Sequence, residues 1–131
     1  MHFTMKQTLS SRAWRLSLLS ALILLCAIAL PQAALAGGYC AIAYSRSTGK
    51  WGDSYSYGSR ASAERAALRN CGARGSFIAG WGHNQHIALA VGHGGAWGFG
   101  VGASKDAAGR SALRHCPAND AHILRYVYSF D

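Results

Sequence analysis

Apolar and small or polar positions alternate along most of the chain from residue 40 onward, and the alternation yields twice to a run with helical spacing. Cys40, Ile42 and Tyr44 alternate with Ala41, Ala43 and Ser45, a period of two that predicts a strand. Residues 46–50 contain Ser, Thr and Gly and predict a hairpin turn. In the return strand, Trp51, Asp53, Tyr55 and Tyr57 alternate with Gly52, Ser54 and Ser56. Ser59 predicts a helix N-cap, because its hydroxyl accepts from unpaired N–H groups of the first turn. Ala63, Ala66, Ala67, Leu68 and Cys71 form a narrow apolar stripe, and Gly72 ends the helix. Residues 77–81 predict a third strand, with Phe77, Ala79 and Trp81 on one face.

The same order then restarts. Ile87, Leu89 and Val91 alternate with Ala88 and Ala90, residues 92–95 turn, and Trp97, Phe99 and Val101 alternate with Gly98, Gly100 and Gly102. Ser104 caps a second helix, Asp106 complements its N-terminal dipole, and residues 123–130 predict the last strand. The helical segment SRASAERAALRNC at 59–71 aligns without gaps on SKDAAGRSALRHC at 104–116. The segments AIAYSRSTGKWG from Ala41 and ALAVGHGGAWG from Ala88 also match. The expected architecture is α+β: two pseudo-symmetric strand–strand–helix–strand repeats, about 39–82 and 86–130, sharing one core of about six strands and two helices. In most strands one face is bulky and the other is Gly, Ala or Ser, while the helices offer Ala. Bulky sheet residues over small helix residues fill space without clash, so the aromatic face is expected beneath the helices. The small face is then solvated or lies against another backbone layer.

The chain before residue 37 reads differently. Lys6, Arg12 and Arg15 precede an uncharged apolar run over residues 16–30, and Ala34-Leu35-Ala36 has the small-x-small pattern of a cleavage site. A cleaved secretory signal peptide is expected over 1–36, with a single exported domain over 37–131, periplasmic or secreted from a bacterium. The run of about 15 residues is shorter than the roughly 20 of a spanning helix, and no transmembrane segment is expected after cleavage. The whole chain has 13 Lys and Arg against 5 Asp and Glu, a net charge of +8. Three of those bases lie in the leader, which leaves the domain at +5 and points to anionic neighbours.

An exported chain meets oxidising conditions, so one disulfide and one spare thiol are expected among Cys40, Cys71 and Cys116. If both repeats join one sheet through residues 83–86, the two helix ends return to the same end of it. Cys40 then lies about 17 Å away, beyond the roughly 7 Å a disulfide spans. Cys71–Cys116 is the expected bond, with Cys40–Cys116 as the rival if the repeats exchange strands.

Candidate chemistry is sparse. His83 and His86 share a turn, but two ligands do not make a metal site, and His93 lies a strand away. His93, His115, Cys71 and Cys116 would form a zinc or Cys–His site only by gathering at one sheet end, and a disulfide would remove both thiolates. The glycines of Gly98, Gly100 and Gly102 alternate along a strand instead of opening a helix, which excludes a dinucleotide fingerprint. No G-x-S-x-G elbow and no evident carboxylate pair occur. No catalytic residue, metal ligand or cofactor is assigned. Arg65, Arg69, Arg110 and Arg114 are equivalent i, i+4 pairs on the outer faces of the two helices. Side by side, those helices would present one basic patch for an anionic envelope polymer, lipid headgroups or another protein, without specific nucleic-acid readout. The leading reading is a non-enzymatic binding or interaction module of the bacterial envelope or its surroundings. The alternatives are a secreted effector or toxin-like protein, and a small His-dependent enzyme or metal-binding protein.

The ordered segments AIAYSRSTGKWG, SYSYGSR, AERAALRNC and ALAVG…GAWGFGVGASKDAAGRSALRHC resemble a family of small exported bacterial proteins, domain of unknown function 4189. The resemblance covers nearly all of residues 39–131. Members of that family usually carry further cysteines, one shortly after the first helix, where this chain has Gly75-Ser76. Another falls in an Asn-x-Cys, where this chain has Asn84-Gln85-His86. The resemblance implies a small, exported, duplicated domain and carries no catalytic residue with it.

Overall fold

Strands and helices form where the two periodicities place them. In the computed structural model, residues 37–130 are described, and the expected signal peptide over 1–36 lies outside them. The order is β1 (Tyr39–Tyr44), β2 (Trp51–Tyr57), α1 (Arg60–Cys71), β3 (Phe77–His83), β4 (Gln85–Val91), β5 (Trp97–Gly102), α2 (Lys105–His115) and β6 (His122–Ser129), with a short 3-10 turn at His93–Gly95. This is an α+β fold. Both helices start on the expected serine caps: Ser59 accepts from the N–H of Ser62, and Ser104 from that of Ala107. Gly72 ends α1 in the left-handed region, at φ 59°, where a Cβ is penalised.

The strands form two antiparallel sheets, in the orders β2-β1-β3 and β5-β4-β6. The link over residues 83–86 is therefore not a hairpin within one sheet. β3 runs to His83, Asn84 alone turns with φ 51°, and β4 begins at Gln85 in the other sheet. The two sheets pack face to face, with β1 over β4, β3 beside β5 and β2 beside β6.

The bulky faces meet between the sheets. Cys40, Ile42 and Tyr44 of β1 pack with Ile87, Leu89, Val91 and Val127, and Trp51, Phe77, Trp97, Phe99 and Leu124 close around them. This corrects the expectation that the aromatic face as a whole lies under the helices; Tyr39, Tyr57, Trp81 and Tyr126 do pack on the helix side, and the register slip in β3 turns Trp81 away from the face of Phe77 and Ala79, with which it was expected to align. Ala41 and Ala43 instead sit against Ala63, Ala67 and Cys71 of α1, and Ala88 and Ala90 against Ala108 and Ala112 of α2 and Cys116 at its C-cap. The small faces do lie against a backbone layer, and that layer is helix. A Cβ at Gly52 would overlap the backbone of Ala67 and Cys71, and one at Gly100 the backbone of Ala108 and Ala112. Packing bulky residues there would lift the helix by several ångströms. Facing sheets stand about 10 Å apart, a gap that only large side chains fill. Ser54 uses the closeness: its buried hydroxyl donates to the Ala63 carbonyl at 2.6 Å. The order of layers is therefore helix, sheet, sheet, helix.

Candidate functional site

The layer order disperses the residues singled out in the sequence. Each helix covers the outer face of its own sheet, so α1 and α2 lie on opposite sides of the molecule. Arg65 and Arg69 are exposed on one side, Arg110 and Arg114 on the other, and the four do not make one basic patch. The same geometry rules out the expected Cys71–Cys116 bond, since the two thiols lie beneath different helices with both sheets between them. All three cysteines are unbonded and buried: Cys71 under α1, Cys116 under α2 and Cys40 between the sheets. The rival Cys40–Cys116 bond is likewise not made. Burial pushes the Cys40 thiol up to about 11, opposed in part by a backbone hydrogen bond with Gly82.

The histidines are dispersed too. His83 stacks on Tyr39 with ring centroids 4.1 Å apart. His86 leans on Tyr128 and Phe130, at 5.3 and 5.7 Å. His93 places Nδ1 2.7 Å from Asp120 Oδ1, and its backbone N–H donates to the same oxygen at 3.0 Å. That backbone donor first, and the ring second, hold the Asp120 carboxyl below its ordinary value. The pair ties the 3-10 turn to the segment before β6. Among the described residues, no group of three His, Cys, Asp or Glu is placed to hold a metal ion.

A site that sequence reasoning missed lies along the edge where β2 and β6 run side by side. A cavity of about 480 Å³ opens there, lined by Tyr55, Ser56 and every residue from Arg125 to Phe130. Its rim is aromatic and wet: Tyr55 is 61% exposed, Tyr128 64% and Phe130 50%. Tyr128 and Phe130 lie 6.0 Å apart and, with His86, form a tilted three-ring cluster. Its floor is charged. Arg125 reaches across from one sheet to Asp53 on the other, with Nε and Nη2 2.7 and 2.6 Å from Oδ2, and its guanidinium lies 4.9 Å from the centroid of the Trp51 ring. The Arg125 side chain remains 41% exposed, whereas Asp53 is 17% exposed.

A bulge shapes this edge. The β1–β2 register slips between Tyr39 and Ala41, so that Tyr55 and Ser56 together oppose a single residue. Ser56 takes φ 61°, unusual for a residue with a Cβ, and its N–H is held by the buried hydroxyl of Ser129 at 2.8 Å. The bulge was present in the sequence as a length difference. Eight positions separate Trp51 from Ser59, and seven separate Trp97 from Ser104, where β4 and β5 pair without a slip.

Residues 39–128 match the family described as domain of unknown function, DUF4189. The chain belongs to this family. No curated protein matches it. Among solved structures it is similar to the NMR structure of Rv1813c from Mycobacterium tuberculosis, at 25% identity and a TM-score of 0.54, over 76% of this chain and 81% of that one. Among the described residues, no helix of this DUF4189 protein is long and apolar enough to cross a membrane.

Proposed function

We propose that this DUF4189 protein is an exported, non-enzymatic binding module of the bacterial envelope or its surroundings, and that its ligand-contacting surface is the open edge between β2 and β6. One observation carries the reading: three largely exposed aromatic rings surround a cavity whose Arg125 is held in place by Asp53 and Trp51 of β2. Wet aromatic rings give up little conformational freedom on binding, and a fixed guanidinium orients what they hold. The titratable pair at the floor is engaged in an ion pair, which suits recognition. Export rests on the signal-type leader. The divided arginines move the expected anionic contacts from a helix patch to this edge.

The test compares retention of envelope and secreted material on immobilised wild type and on a Tyr55→Ala/Phe130→Ala variant. Both side chains are half or more exposed, so the variant keeps its fold. Loss of specific retention in the variant is expected. Identical retention by both proteins overturns the assignment of this edge.

A further inference from the structure

The shape of the cavity identifies the class of ligand, granted that the open edge is the binding surface. Five consecutive residues of one strand, Arg125 to Ser129 of β6, line it together with Phe130 just beyond the strand. Neighbours in a strand point to opposite faces, so an unbroken run means that the cavity faces the backbone edge of β6 and not one of its faces. β6 is the outer strand of its sheet and pairs with β4 alone. Its other row of N–H and C=O groups borders the cavity. Unpaired strand edges of this kind are templates for a further strand.

We propose that the open edge binds an extended polypeptide segment carrying an acidic side chain, which adds to β6 as a fourth strand of that sheet. Main-chain hydrogen bonds along β6 supply affinity, and alternate side chains of the guest meet Tyr55 on one wall and Tyr128 and Phe130 on the other. Among the described lining residues Arg125 alone is charged, and the Asp53 carboxylate beside it engages Nε and Nη2, leaving the rest of the guanidinium to a guest. That half-exposed guanidinium, already oriented by Asp53, is complementary to a carboxylate of the guest, and the positive net charge of the chain draws acidic segments toward it. A second copy of this chain fits less well. β6 reads HILRYVYS, so self-pairing brings two arginines to one ribbon and no acid. A glycan would stack on the rings but leave the strand edge without a matching row of partners. At the opposite edge of the sandwich, the Phe99 ring occupies the space above Gly80.

The test follows backbone amide NMR signals of the isotope-labelled protein during titration with four probes. These are acetyl-Thr-Val-Glu-Val-Thr-Val-amide, its version with Lys replacing Glu, its version with alternate amide nitrogens methylated, and an N-acetylglucosamine hexamer. Saturable shifts at Ser56 and Arg125 to Phe130 are expected with the first peptide. About tenfold weaker binding is expected with the Lys peptide, and none with the methylated one, which lacks the donors a strand needs. If the methylated peptide binds as well as its parent, or only the glycan moves these signals, the strand-addition proposal falls while the open-edge reading stands. If the peptide's shifts lie elsewhere and persist unchanged in the Tyr55→Ala/Phe130→Ala variant, both fall. Absence of saturable shifts with any of the peptides also overturns the proposal.

Discussion

The two long edges of the sandwich use equivalent positions and hold different residues there. At the β3/β5 edge, Gly80 faces Phe99, and the ring fills the space a Cβ would need. At the β2/β6 edge the aligned positions are Arg125 and Asp53, joined by an ion pair with a cavity above it. One edge is sealed by an apolar ring and the other is propped by charge. The surrounding framework is alike: Ile42 pairs with Gly80 just before a slip in register, as Leu89 pairs with Arg125 just before the matching slip. Arg60 lies over Trp81 at 4.6 Å, and Lys105 over Tyr126 at 4.7 Å. Two facing positions and one extra residue in β2 are thus enough to turn a closed edge into a candidate binding surface on a common scaffold.

The comparison breaks most sharply at the sealed edge. Gly80→Val should cost about 3 kcal/mol, measured by urea unfolding, because the branched side chain must expel the Phe99 ring. A change of well under 1 kcal/mol would mean that the edge is not sealed. The complementary deletion, Phe99→Ala, should cost about 2 kcal/mol, below the value for a fully buried ring because Phe99 is only partly buried.

Exchanging the pairs sharpens the contrast. The Asp53→Phe/Arg125→Gly double variant copies the sealed edge onto the open one. It should fold with stability within about 1–2 kcal/mol of wild type, since an apolar pair replaces a partly buried ion pair, and it should lose binding at the edge. Binding retained by a folded double variant would remove Arg125 from the site.

A pH titration separates these edges from the core they share. The Cys40 thiol is raised from 9.0 to about 11 because folding buries it. Its neutral form is favoured in the fold, so its contribution is intact below pH 9 and is lost as pH rises from 9 towards 11. A Cys40→Ala variant should show a shallower fall in urea midpoint over that window, and equal slopes would contradict the assignment. The smallest effect is expected at the bulge. Ser56→Gly relieves a positive φ, offset by the backbone entropy of glycine, and should shift stability by less than about 1 kcal/mol in a urea melt.

Much of the fold is legible in the residues themselves. The period of two, the helical alanine stripes, Ser59 and Ser104 as caps and Gly72 as a stop each act over a few residues, and they place every strand and helix. The edge site was only half legible. The length mismatch between Trp51 and Ser59 and between Trp97 and Ser104 marks the bulge, but Asp53 and Arg125 are 72 residues apart and nothing local joins them.

By itself, the sequence determined six strands and two helices, their order, and the strand faces up to the register slips: the slip in β3 parts Trp81 from Phe77 and Ala79, and the bulge in β2 parts Tyr57 from Trp51. Only the tertiary structure decided what each face meets. Alternation says that the two faces differ, and both possible layer orders satisfy it. Backbone proximity settled the choice: Gly52 and Gly100 let the helices lie directly on the sheets, so the large side chains had to fill the space between sheets. That one decision sent the arginine pairs to opposite sides, parted the cysteines, and left β2 and β6 edge to edge around an open cavity.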